Sequence, residues 1–253
     1  MRQQGGLDRQ RAKEEHKRQG AAPPYAAQRI RKGGQKMTKE EKAARQAEKL
    51  RLERERLQGM MTYEKKYGSC RYICGVDEVG RGPFAGPVMA GAVILPKDCE
   101  ILYLNDSKKL SKKKREALYE EIKEKAISWA VARVENDVID EINILQATLK
   151  AMRKAISQLD PKPDIILVDA VNIPDIDIPQ EGIVKGDAKS VSIAAASILA
   201  KVTRDRVMEE YAKEYPGYGF EKNMGYGTVE HREALKEHGP TPIHRMSFIH
   251  NYV

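Results

Sequence analysis

Three short apolar runs, far apart in the chain, each lead into an acid, and this pattern limits the fold more than any other feature. Ile73-Cys74-Gly75-Val76 runs into Asp77-Glu78. Ile165-Ile166-Leu167-Val168 ends in Asp169. Ile183-Val184-Lys185-Gly186 leads to Asp187. A continuous apolar run of this length suits a strand covered on both faces. The first of these strands is predicted over 71–79, and further strands over 88–95 and 129–134, the last by its alternation. Helices are predicted over 38–57, 111–125, 137–159, 192–211 and 228–239. Thr38 with Glu41, Ser111 and Thr228 serve as N-terminal caps. In 137–159 the positions Ile139, Ile142, Leu145, Leu149, Met152 and Ile156 form a core-facing stripe. The helix after Ser192 opens on Ala194-Ala195-Ala196-Ser197, small enough to approach a sheet closely. Strands alternate with helices after an initial strand pair, so the expected class is α/β with a mixed sheet flanked by helices.

Charge is placed unevenly. The formal net charge is +8, with 17 Lys/Arg against 8 Asp/Glu in residues 1–60 and 28 against 29 in the rest. A basic arm on a near-neutral body points to a polyanion, most often nucleic acid. Residues 1–36 are polar and broken by Gly5-Gly6, Pro23-Pro24 and Gly33-Gly34, which predicts disorder. The expected division is a basic N-terminal extension, 1–62, and a catalytic domain, 63–253, with a helical C-terminal segment. Cys70, Cys74 and Cys99 show neither a disulfide framework nor zinc spacing, which suits a reducing cytoplasm. No stretch is apolar enough to cross a bilayer, and the basic N-terminus lacks a following apolar core, so neither a membrane protein nor a secretory signal is expected. A monomer is the expected state.

Ligand sites in open α/β sheets gather at the carboxyl ends of strands. If the three runs are neighbours, Asp77, Glu78, Asp169 and Asp187 converge at one edge. Four such acids repel and shift one another's protonation. Two Mg²⁺ or Mn²⁺ ions would cancel that charge, since hard cations take carboxylate oxygens. A metal pair can stabilise the attacking and leaving oxygens of an in-line phosphoryl displacement. Gly80-Arg81-Gly82 adds a flexible turn with exposed N–H groups and a guanidinium able to grip phosphate. The glycines do not fit the dinucleotide fingerprint, because Gly86 comes one place late. Neither a Walker-type loop nor a His-Glu-x-x-His pattern is present. His231 reads as a packing or surface histidine.

Taken together, the motifs resemble one family. Gly75-Val76-Asp77-Glu78-Val79-Gly80-Arg81-Gly82-Pro83 looks like the signature of ribonuclease HII. Asn105-Asp106-Ser107-Lys108-Lys109-Leu110 follows, then Lys185-Gly186-Asp187 with Ile193–Asp205, then Gly225-Tyr226-Gly227-Thr228-Val229-Glu230-His231, all in family order. The resemblance spans about residues 71–250. It implies an RNase H-like fold and a two-metal endoribonuclease. Its substrates would be RNA in RNA/DNA hybrids and single ribonucleotides embedded in duplex DNA, cut on the 5′ side to leave 3′-hydroxyl and 5′-phosphate ends. The metal-binding acids map onto Asp77, Glu78, Asp169 and Asp187, the 2′-hydroxyl sensor onto Gly80, Arg81 and Gly82, and the junction-sensing tyrosine onto Tyr226. Lys108, Lys109, Lys185 and Lys189 are candidate phosphate contacts. Ala170 and Met224 stand where many relatives carry glycine and lysine. Two other readings remain open: a non-catalytic nucleic-acid binder, and a hybrid-cutting nuclease that needs a run of ribonucleotides.

Overall fold

A computed structural model describes residues 38–253; the disorder expected over 1–36 lies outside the described residues. The chain divides into two compact units, 1–47 and 48–253. The described part of the first is the start of helix α1 (Lys39–Met60). Its capping box is formed: the Glu41 N–H donates to Thr38 Oγ1 at 3.1 Å, and the Thr38 N–H to Glu41 Oε2 at 2.9 Å. Both donors would otherwise lack intrahelical partners.

In the second unit, the last turns of α1 carry Leu57 and Met60 into the core. Each buried side chain of this size is worth about 1.5–3 kcal/mol. A short helix, α2 (Thr62–Lys66), leads into the sheet. Its strands are β1 (Ile73–Val79), β2 (Val88–Ile94), β3 (Ser128–Val134), β4 (Ile165–Asp169) and β5 (Gln180–Ile183), in the order β3-β2-β1-β4-β5. β1 pairs antiparallel with β2, and β2 with β3. β1–β4 and β4–β5 are parallel. This is the mixed sheet expected from the sequence.

Both faces are covered. Cys74, Val76, Ala90, Ala92, Ile166 and Val168 pack with helix α4 (Asn136–Ser157). The opposite face meets helix α5 (Val191–Glu214), with α3 (Lys112–Lys125) outside it. A methyl group at Gly75 would lie 2.0 Å from the Ser192 carbonyl carbon, and one at Gly91 would lie 2.4 Å from the Ala196 oxygen. The sheet and the small-residue turns of α5 therefore touch backbone to backbone, a distance no larger residue permits. Past α5, the helices α6 (Phe220–Asn223), α7 (Val229–His238) and α8 (Met246–Ile249) enclose a separate cluster built on Met208, Tyr218, Phe220, Leu235 and Ile249.

Two elements differ from expectation. α4 is broken at Asn143, whose φ is 67°. Its Oδ1 accepts from the N–H groups of Leu145 and Gln146 and so caps a second helical segment. The periodicity slips there, and Leu145, expected in the core, is 45% exposed. The run leading to Asp187 is not a strand to its end. β5 stops at Ile183, Lys185 turns left-handed at φ 58°, and Asp187 sits in a single 3-10 turn (Gly186–Ala188). The three cysteines are free. Among the described residues, no helix is long and apolar enough to cross a membrane.

Candidate active site

The register of the parallel strands determines what meets at the sheet edge. Val76 lies opposite Val168, so Asp77 and Asp169, each one step further, are level. Asp169 in turn lies opposite Ile183, four residues before Asp187. The Gly186 N–H donates to Asp169 Oδ1 at 2.8 Å, which fastens the turn carrying Asp187 to the end of β4. All four acids line one cleft of about 510 Å³, together with Gly80, Arg81, Gly82, Lys108 and Tyr226. Lys109, Lys185 and Lys189 are exposed and do not line it.

Each acid has its own environment. Asp77 is 6% exposed, on the α5 side of the sheet. Burial pushes its pKa well above the ordinary carboxylate range, and the charges of Glu78 and Asp169 add to the rise. A hydrogen bond from Ser197 and the Glu78 N–H, at 2.8 Å, pull the other way. Glu78 is also raised by burial, opposed by Arg81, whose Nη1 lies 3.4 Å from Glu78 Oε1. Asp187 is raised by burial, then by Asp106 and Asp169, against Lys108. The four acids share the cleft with four cations, Arg81, Lys108, Arg115 and Lys201, of which the last two pair with Asp205.

The donor set suits hard divalent cations, being oxygen throughout with neither thiol nor imidazole. Among the described residues, however, no group of three or more His, Cys, Asp or Glu is drawn together as a ready-made metal site.

Comparison with known proteins decides the family. The ribonuclease HII family model matches residues 74–251. The chain belongs to the ribonuclease HII family. The ribonuclease HII of Lachnoclostridium phytofermentans is 64% identical over 204 residues, 81% of this chain and 80% of the relative. That of Caldanaerobacter subterraneus subsp. tengcongensis is 59% identical over 202 residues, 78% of this chain and 84% of the relative. The crystal structure of the ribonuclease H2 from Pyrococcus horikoshii is similar with a TM-score of 0.59 at 29% identity, over 70% of this chain and 93% of that one. The fold is thus RNase H-like. As a ribonuclease HII family member the protein is an endoribonuclease acting on RNA/DNA hybrids, and the family depends on divalent metal.

Two arginines given no role in the sequence reading hold the loop that follows β1. Arg204 and Arg245 are fully buried. Arg245 donates to the carbonyls of Gly80 at 2.6 Å, Arg81 at 3.0 Å and Gly86 at 2.8 and 3.0 Å. Arg204 donates to Pro87, Ala85 and Met224 oxygens at 2.9, 3.1 and 2.9 Å. The two guanidiniums thereby fasten the Gly80-Arg81-Gly82 turn to the segment before Tyr226. Burial lowers the pKa of Arg204 to about 10 and of Arg245 to about 9, so both remain cations at neutral pH. His231, a packing histidine, faces the Tyr226 oxygen through Nδ1 at 3.0 Å and His244 through Nε2 at 3.0 Å. Ser107 and Ser197 hydroxyls meet at 3.0 Å beneath the cleft. Ala170, just past Asp169, adopts a left-handed φ of 56°. That conformation costs an L-residue about 1–2 kcal/mol and leaves the acid in place.

Proposed function

We propose that this chain cuts duplex DNA on the 5′ side of single embedded ribonucleotides, leaving 3′-hydroxyl and 5′-phosphate ends, with Asp77, Glu78, Asp169 and Asp187 holding two Mg²⁺ or Mn²⁺ ions. Residues 63–253 act as the catalytic domain and 1–62 as an appended basic extension. The observation that carries this reading is the adjacency of three parts: the acids, the Gly80-Arg81-Gly82 turn and Tyr226 line one cleft. When bound, the ions supply Lewis-acid stabilisation of the phosphate oxygens.

The chain's own groups supply selection. The 2′-hydroxyl alone separates RNA from DNA at one nucleotide. Gly80 sits at φ 90°, and a methyl group added at Gly82 would lie 3.6 Å from Tyr226 Cε1. Backbone at such a turn can approach a sugar where a side chain would clash. The Tyr226 ring is 42% exposed and stands beside that turn. Laid against the next sugar, it disfavours a second 2′-hydroxyl and marks an RNA–DNA junction. Arg81, also exposed, is placed to grip a phosphate once Glu78 is occupied by a cation.

Incubating the protein with a duplex holding one ribonucleotide, with and without Mg²⁺ or Mn²⁺, tests the reading. A single metal-dependent cut 5′ of the ribonucleotide is expected. Binding without metal-dependent cleavage would favour a non-catalytic binder. Tyr226→Ala is expected to slow that cut by about 10- to 100-fold relative to cleavage of a long hybrid, the range typical of one discriminating contact. Equal losses on both substrates would remove Tyr226 from the sensor.

A further inference from the structure

Lys109 and Lys189 face a second concavity on the far side of the loops that carry the site. The 105–109 loop turns Ser107 and Lys108 to the acid-lined cleft but Asn105 and Lys109 outward. The 187–189 loop does the same with Asp187 and Lys189. Between them and the end of α1 lies a groove of about 580 Å³. Its opposite wall is built by Arg56, Thr62 and Tyr63, residues that precede the span matched by the family model.

The groove has the chemistry of an anion track. Three of its lining residues are cationic, Arg56, Lys109 and Lys189, and none is acidic. Lys189 has no carboxylate partner among the described residues, while Lys109 lies a loose 3.8 Å from Asp106. Thr62 and Asn105 also line it, the Thr62 hydroxyl donating to the Gly59 carbonyl at 2.8 Å. The wall is also firmly built. Arg56 donates to the Leu104 carbonyl at 2.6 Å and to Glu53 at 2.6 Å. The Tyr103 N–H donates to Glu53 Oε1 at 2.7 Å, and Arg54 meets Glu100 at 3.0 Å. Leu57 and Met60 are buried beneath it. A docked wall loses little freedom when a ligand arrives, which favours binding.

We propose that this groove holds the sugar-phosphate backbone of the duplex beyond the cut, so that residues 56–63 of the extension are part of the substrate track. The inference rests on the function proposed above. A duplex whose scissile phosphate sits at the acids carries further phosphates over the thin ridge formed by the two loops. Contacts of this kind position the duplex without reading its sequence.

The test uses the full chain and a duplex holding one ribonucleotide. Lys189→Gln removes one cation. Thr62→Glu places a carboxylate on the extension side, at the first turn of α2, where an acid suits the helix. The double variant is expected to raise KM and Kd about tenfold near physiological salt and to flatten the slope of log K against log salt by about one or more. Melting temperature, expected unchanged, checks the fold. Wild-type KM and salt slope in the double variant would overturn the groove, while the cleft reading stands as long as the wild type cuts. If the wild type binds but never cuts with metal, the cleft reading falls instead, and the salt slope of Kd alone still decides the groove.

Discussion

Asp77→Asn is expected to abolish metal-dependent cleavage and, at the same time, to stabilise the metal-free protein. Both effects come from one buried charge. Asp77 is held at the level of Asp169, beside Glu78, where burial and like charges oppose ionisation. Its pKa is higher folded than unfolded. In strong acid both states are protonated and the penalty is absent. As pH rises from the ordinary carboxylate range through the raised folded value, the unfolded state ionises first, and stability falls. Above that raised value the full penalty stands, on the order of 1–3 kcal/mol for a buried polar group without adequate partners. At about 2–4 °C per kcal/mol for a chain of this size, Asp77→Asn should raise the metal-free melting temperature by several degrees. It should also remove part of the downward slope of stability as pH rises above the ordinary carboxylate range.

Activity moves the opposite way. Metal stabilisation of transition-state charge is worth several kcal/mol, so losing one ligand should cost on the order of a thousandfold or more. Duplex binding should survive. Substantial cleavage by Asp77→Asn at saturating Mg²⁺ would contradict the assignment. An unchanged melting curve would show that the charge is already offset.

Arg245→Met is expected to destabilise the protein by about 3–5 kcal/mol, far more than an ordinary arginine substitution. Two effects compete. Removing a buried cation relieves a desolvation cost, and buried ionic groups can often be replaced by apolar ones at little loss. Here the partners are not another side chain that leaves with it. They are the carbonyls of Gly80, Arg81 and Gly86, which lose their donors, those of Gly80 and Gly86 in buried surroundings. Each such group costs about 1–3 kcal/mol, so the loss wins. The same bonds hold the sensor turn, so what folded variant remains should lose more activity on a single ribonucleotide than on a long hybrid. Urea denaturation reads the first effect and paired KM and kcat measurements the second. A loss below about 1 kcal/mol would mean that the turn is fixed by something other than Arg245.

Much of this architecture was legible locally. Ser111 and Thr228 cap their helices, accepting from Lys114 and His231 N–H groups. Apolar runs ending in acids marked β1 and β4, and the small residues after Ser192 foretold the close helix–sheet contact. Those signals lie within a few residues of one another. What escaped depends on partners far along the chain. Arg245 reaches carbonyls some 160 residues earlier, and nothing near either end distinguishes it from a surface cation. Glu64 caps α5 from 128 residues before Ser192 in the same way, accepting its N–H at 3.0 Å. The break at Asn143 was hidden because the apolar spacing of α4 continues through it, although one left-handed residue shifts the face.

Titrating Mn²⁺ into metal-free protein with a substrate duplex present, and reading free Mn²⁺ by paramagnetic resonance, tests the gathering of the carboxylates most directly. The wild type should take up two ions per chain, and Asp77→Asn and Asp169→Asn should each lose at least one. Uptake that is the same in all three proteins, or absent from the wild type, would contradict a metal site at this sheet edge.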